Sequence, residues 1–144
     1  MIKDTISKVQ IKYSSINVQK FAQFDVADFT LNGENDLEYV SDFQAHINEE
    51  RQEFGVTSTV RVKIISIDEI FCELKVTSMF LVKPFDIIKI DKERNKMDIP
   101  ENLIHEVTDI IMSTVRGILH ERLRGTKLQN EVLPLIAANK VLPT

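Results

Sequence analysis

The amino-acid sequence predicts a single α+β domain over residues 1–144, and three observations lead there. Apolar residues alternate at period two through most of the first two-thirds of the chain, whereas residues 103–123 repeat at helical spacing. The composition is 43% apolar and 28% charged, with only four Gly and four Pro. That balance suits one packed core and excludes a disordered, collagenous or low-complexity chain. No residue block recurs at a fixed period, which argues against a solenoid or propeller.

From Ser7 to Gln19, Val9, Ile11 and Tyr13 alternate, then the phase slips across Ser14-Ser15 to Ile16 and Val18. Such a slip predicts a bulge or bend within one long strand. Residues 21–36 carry Phe21, Phe24 and Phe29 among acidic and turn-forming residues and reach Asn32-Gly33, the pattern of a connection with short extended pieces. Between Leu37 and Asn48, Phe43, Ala45 and Ile47 alternate with Asp42, Gln44, His46 and Asn48, as in a half-buried strand. Two clearer strands follow, Val56 to Ile67 and Ile70 to Val82, joined closely enough at Ser66-Ile67-Asp68-Glu69 to form an antiparallel hairpin. Phe54 falls at the turn before them, and 83–97, with Pro84, Phe85 and a charged run, reads as a surface crossover.

Asp98-Ile99-Pro100-Glu101 signals a helix start, with Asp98 placed to cap and Glu101 to reach back. The apolar set Leu103, Ile104, Val107, Ile110, Ile111, Val115, Ile118 and Leu119 is wider than one packing stripe. One sheet covers one side, so a second copy of the chain is expected on the other. The expected interface comprises Ile104, Ile111, Ser113, Val115, Gly117 and Ile118, with Ser113 and Gly117 forming a flat spot where a helix backbone could come close. A tolerated mid-helix glycine explains Gly117 equally well. The helix should end near Gly125, and the remaining tail is too apolar to stand free in water.

Lys plus Arg number 18 against 22 Asp plus Glu, a net charge of -4 that disfavours nucleic-acid capture. Cys72 is the lone cysteine, so no intrachain disulfide forms and a reducing compartment fits best. The first residues lack an apolar signal run, and no segment approaches the roughly 20 apolar residues that span a bilayer. A cytoplasmic protein without membrane insertion is the expectation.

Catalytic chemistry has little to stand on. His46, His105 and His120 are dispersed, with no HExxH and no paired Cys, so no metal site is expected. Cys72 alternates inward with Ile70 and Leu74, which suits a small buried hydrophobe better than a thiolate nucleophile. Glu73, Asp42 and Glu49-Glu50 read as solvated carboxylates, and no serine stands in a GxSxG elbow. Neither an enzyme nor a cofactor is expected. The apolar residues outside the alternation, Phe21, Phe24, Phe29, Phe54, Phe85 and the tail, cover the core's edges or line an apolar groove for an extended polypeptide.

Four stretches, Val9 to Tyr13 with Ile16-Asn17-Val18, Thr59 to Ile65, Phe71 to Leu74, and Ile99 to Leu103 leading into Met112 to Gly117, resemble the SecB family of bacterial export chaperones. Gly125-Thr126 and Leu133 to Ile136 with Asn139 are similar to the family's loop before a short second helix. The resemblance implies a four-stranded antiparallel sheet packed on a long C-terminal helix, and dimers stacked into a homotetramer. It also implies an ATP-independent holdase that binds unfolded preproteins and hands them to the SecA motor. Client-binding residues would then be Phe24, Phe29, Tyr39, Phe43, Leu133 and Ile136. Of the family's acidic SecA-docking face only Glu73 has a match; Ser14 to Gln19 in the first strand contain no acid. Two alternatives stay open: a SecB-like chaperone dedicated to another client, such as an antitoxin, and a small-molecule-binding or catalytic α+β domain.

Overall fold

In the computed structural model, which describes residues 9–33, 36–132 and 134, the alternating segments become β1 (Gln10–Gln23), β2 (Leu37–Asn48), β3 (Glu53–Ile64) and β4 (Glu69–Lys83). They form one antiparallel sheet in the order β1-β4-β3-β2. The slip at Ser14-Ser15 is a register shift of β1 against β4 between Tyr13 and Ser15, and a second shift follows between Val18 and Lys20. By contrast, β2 runs against β3 without interruption from Leu37 opposite Ile64 to Asn48 opposite Glu53.

Residues at even positions of β3 and β4 make the core face. Phe54, Val56, Val60, Val62 and Ile64 on β3, and Cys72, Leu74, Val76, Phe80 and Val82 on β4, are buried. Most odd positions point the other way and stay half-exposed, as a sheet with one wet face requires, while Glu53, Gly55 and Phe71 are buried. The hairpin turn between β3 and β4 is one turn of 3-10 helix, Ile65–Ile67, closed by Asp68 in the left-handed region at φ 55°.

Helix α1 (Glu101–Arg122) lies over the core face, and the Tyr13 hydroxyl meets the Thr114 hydroxyl at 2.7 Å, linking α1 to β1. Its end falls as expected: Leu123 caps it, and Gly125 follows at φ 81°, where a side chain would be strained.

Four local expectations are corrected. Phe54 is no turn residue but a fully buried member of β3, opposite Phe80. Phe21 belongs to β1, opposite Leu74. Residues 83–97 are not a plain crossover, because Lys89–Asp91 (β5) pairs with Lys96–Asp98 (β6) as a small hairpin. Asp98 is spent in that hairpin, so the helix starts at Glu101 after Pro100 with no side-chain cap.

The breadth of the helix's apolar set also has a different explanation. Ile104, Ile111 and Val115, expected to face a second copy, are 3%, 0% and 1% exposed within the single chain. Their side chains join the core cluster with the sheet, the 85–99 segment and the residues after the helix. They are covered within the one chain as part of that cluster. Ser113 and Gly117 stay exposed, Ile118 half-buried, and a Cβ at Gly117 would meet nothing within 4 Å.

Candidate functional site

The connection between β1 and β2 is held in a defined path. Phe24 N–H donates to the Phe71 carbonyl at 2.9 Å, and Ala27 N–H donates to the Glu69 carboxylate at 2.9 Å. Further on, the Asp36 carboxylate accepts from the N–H groups of Asn32 and Gly33, the latter at 2.8 Å, closing a turn in which Gly33 adopts φ 135°. The first two bonds tie the connection to the start of β4 and the last two close it just before β2, leaving its side chains to choose between core and solvent.

Phe29 turns inward, edge-on to Phe71 with ring centroids 5.9 Å apart. The segment after α1 folds over it: Lys127 Nζ sits 4.8 Å from the Phe29 ring centroid, and Leu123 and Leu128 are buried. A cation over an aromatic face holds the two segments together. Beside this junction lie two clefts. One, of about 500 Å³, has Phe24, Val26, Phe29, Phe71, Arg124 and Lys127 in its walls. The other, of about 420 Å³, is bounded by Leu31, Leu37, Tyr39, Glu131, Val132 and Pro134.

Both clefts present apolar side chains that the fold does not shelter. Phe24 is 41% exposed and Val132 54%. Tyr39 is half-buried; burial first, then the nearby Glu131 carboxylate, raises its phenol above the ordinary tyrosine range, so it stays neutral. Phe43 lies half-buried further along β2, outside these two clefts. Leu133 and Ile136 fall outside the described residues. The structure therefore brings Tyr39 together with Leu31, Val132 and Pro134, and sets Phe24 and Phe29 in the neighbouring cleft. Leu31 and Val132 have no distinguishing sequence pattern, since only the fold makes them neighbours of Tyr39.

At the other end of β2 the β5–β6 hairpin leans on the sheet, its Lys92 ammonium 3.2 Å from the Glu49 carboxylate. A cleft of about 370 Å³ there is walled by Ala45, Ile47, Ile90 and Met97 together with polar residues. This second apolar hollow depends on a hairpin that the charged run at 91–96 conceals in the sequence.

The clefts also hold titratable side chains, Asp36 and Glu131 near Tyr39, and His46 with Asp91 and Lys92 near Ile90. Among the described residues no group of three or more His, Cys, Asp or Glu could hold a metal. The His46 ring nitrogen Nε2 and the Thr57 hydroxyl are 3.2 Å apart on the wet sheet face. Cys72 is fully buried and its thiol is pushed up to about 11 by burial. Thiol-specific reagents such as Ellman's are expected to leave Cys72 unmodified in the native protein and to label it fully in denaturant. Fast labelling of the native chain would show that β4 is exposed in solution.

Glu73 lies on the sheet's wet face, away from the clefts. Its carboxylate oxygens reach Lys20 Nζ at 2.6 Å and Arg61 Nε at 2.8 Å, and only 13% of its side chain is exposed. The hydrogen bond from Lys20 leads in holding its carboxyl below the usual glutamate range. Among the described residues, no helix is long and apolar enough to cross a membrane.

No family model matches the sequence, and no curated protein does. A search of solved structures finds a SecB-like chaperone of Mycobacterium tuberculosis, in complex with a ChAD peptide from an antitoxin, with 94% of each chain aligned at 13% identity and a TM-score of 0.53. It also finds a protein of unknown function from Streptococcus agalactiae, aligned over 91% of this chain and 100% of that one at 11% identity, with a TM-score of 0.49. With 94% of both chains aligned to the first of these, and a four-stranded antiparallel sheet followed by one long helix, this chain has the SecB-like fold.

Proposed function

We propose that the protein is an ATP-independent chaperone that holds unfolded polypeptide segments in the clefts around Phe29. The observation that carries this reading is the pair of open hollows in which apolar side chains stand among polar ones, Phe24 beside Asp25 and Asp28 in one, and Tyr39 with Val132 beside Asp36 and Glu131 in the other. A client's apolar side chains entering them lose water contact at about 25 cal/mol per Å², and several weak subsites on one chain add through multivalency. The antitoxin peptide bound to the mycobacterial protein of the same fold supports polypeptide as the ligand class. The test is suppression of aggregation of a chemically denatured protein at stoichiometric amounts, without nucleotide; aggregation at an unchanged rate overturns the proposal.

Assembly of identical copies belongs to the same reading. The surfaces left for it are the outer helix stripe of Ser113, Gly117 and Ile118 and the β1 edge, where Ile16 is 47% exposed. Ile104, Ile111 and Val115 support it only from beneath, as the packing that holds this stripe in place.

Two client relationships are compatible with a holdase. Handing preproteins to SecA requires a docking surface for that motor, and the matching acid, Glu73, is already engaged by Lys20 and Arg61. A chaperone dedicated to one client, such as an antitoxin, needs no such surface. Engagement of Glu73 is the specific observation that favours the dedicated role over the export role.

A further inference from the structure

The wet face of the sheet has a charge opposite to that of the chain as a whole. Cross-strand register places Lys12 and Lys20 of β1, Lys75 and Lys83 of β4, and Arg61 and Lys63 of β3 on this face, against two carboxylates on the same three strands, Glu53 and Glu73. Glu53 is 4% exposed and turned to the Ser14 hydroxyl, so it contributes little field outward. Lys63 is neutralised by Asp68 at 2.6 Å, and the acids Glu38 and Asp42 stand on the outer strand β2. At the centre, Lys20, Lys75 and Arg61 surround the single carboxylate of Glu73.

Lys20 and Lys75 are directly opposite each other in the β1–β4 ladder. Like charges so placed destabilise a sheet, and Glu73, shared between Lys20 and Arg61, leaves Lys75 without an ion-pair partner among the described residues. The neutral side chains around this cluster include Asn17, Thr57, Thr59 and Thr77, whose hydroxyl and amide groups can donate, together with apolar Ala22 and Val40. Lys20 and Arg61 converge on the Glu73 carboxylate from the strands on either side of β4, at 2.6 and 2.8 Å, which gathers the cations into one compact patch across the three strands.

From this charge complementarity we propose that the β1–β4–β3 face docks an acidic polypeptide segment, whose carboxylates pair with Lys20, Lys75 and Arg61. A polypeptide fits better than a nucleic acid. The face presents none of the aromatic side chains on which bases stack. The face is separate from the Phe24 and Tyr39 clefts, so the two proposals fail independently.

The test uses the full chain, a labelled peptide of alternating glutamate and serine, its lysine counterpart, and single-stranded oligothymidine. The glutamate peptide is expected to bind, the lysine peptide not to, and affinity to fall as salt rises from about 20 to about 200 mM. Lys75→Glu should weaken glutamate-peptide binding about fivefold or more. That variant is expected to fold, because a glutamate there faces Lys20, and Lys75→Gln with an unchanged circular dichroism spectrum serves as a second, milder probe. Suppression of client aggregation should stay at the wild-type level in both variants. Three results overturn the proposal: no glutamate-peptide binding, equal binding by wild type and both variants, or oligothymidine binding more tightly than the peptide.

Discussion

Replacing Phe80 with alanine is expected to destabilise the protein by about 3–5 kcal/mol, the range for truncating a fully buried aromatic ring. Phe80 is 0% exposed on β4, with Tyr13 of β1 opposite it on one side and Phe54 of β3 on the other. Its ring stacks on Tyr13 with centroids 4.6 Å apart, and Tyr13 in turn meets Thr114 of α1. The ring thus bridges three strands and, through Tyr13, the helix, so neighbours on all sides resist collapse into the hole. Domains of this kind have total stabilities of about 5–15 kcal/mol, so one substitution removes a large share. Urea unfolding followed by circular dichroism measures it; a loss below about 1 kcal/mol would mean that the site relaxes and that the ring is not central to the core.

The largest functional effect is expected from Phe24→Asp combined with Tyr39→Asp. Phe24 is 41% exposed and Tyr39 half-buried at a strand edge, so the native fold relies on neither side chain as it does on Phe80. If each aromatic contributes about 1.5–3 kcal/mol on burial by a client, removing both weakens holding by at least about a hundredfold. Aggregation suppression should vanish at stoichiometric amounts while the melting temperature stays within a few degrees. Suppression that persists in a folded double variant would place the client elsewhere, with the Ile47–Ile90–Met97 hollow as the next surface to substitute.

Much of the architecture was legible locally. The slip at Ser14-Ser15 appears as a register shift because alternation on one strand records which face each residue takes. The β3–β4 hairpin is equally legible, since its turn and both flanking alternations lie in one continuous stretch, Glu53 to Lys83. The β5–β6 hairpin was not, because strands of three residues, each with a single central apolar side chain, Ile90 and Met97, are too short to show alternation. Phe54 misled for the opposite reason: a position next to a turn carries no mark of whether the strand has already begun.

Of the candidate site, the aromatic character of Phe24, Phe29 and Tyr39 was visible, but their division was not. Phe29 is held between Phe71 and Lys127, whereas Phe24, five residues earlier, remains open. Nothing in their sequence neighbourhoods separates them. The difference arises from residues more than 40 positions away that reach one and not the other.

What the sequence determined by itself is the α+β class, the antiparallel pairing and the helix, because the periods of strand and helix are properties of consecutive residues. Tertiary structure alone decided how the helix's apolar breadth is used. Ile104, Ile111 and Val115 are covered within the chain, in one cluster with residues of the sheet, of the 85–99 segment and of the stretch after Arg122. It also decided that Glu73 sits among cations, since Lys20 and Arg61 reach it from two neighbouring strands. Burial and electrostatic environment are set by distant neighbours, and those neighbours exist only once the sheet has formed.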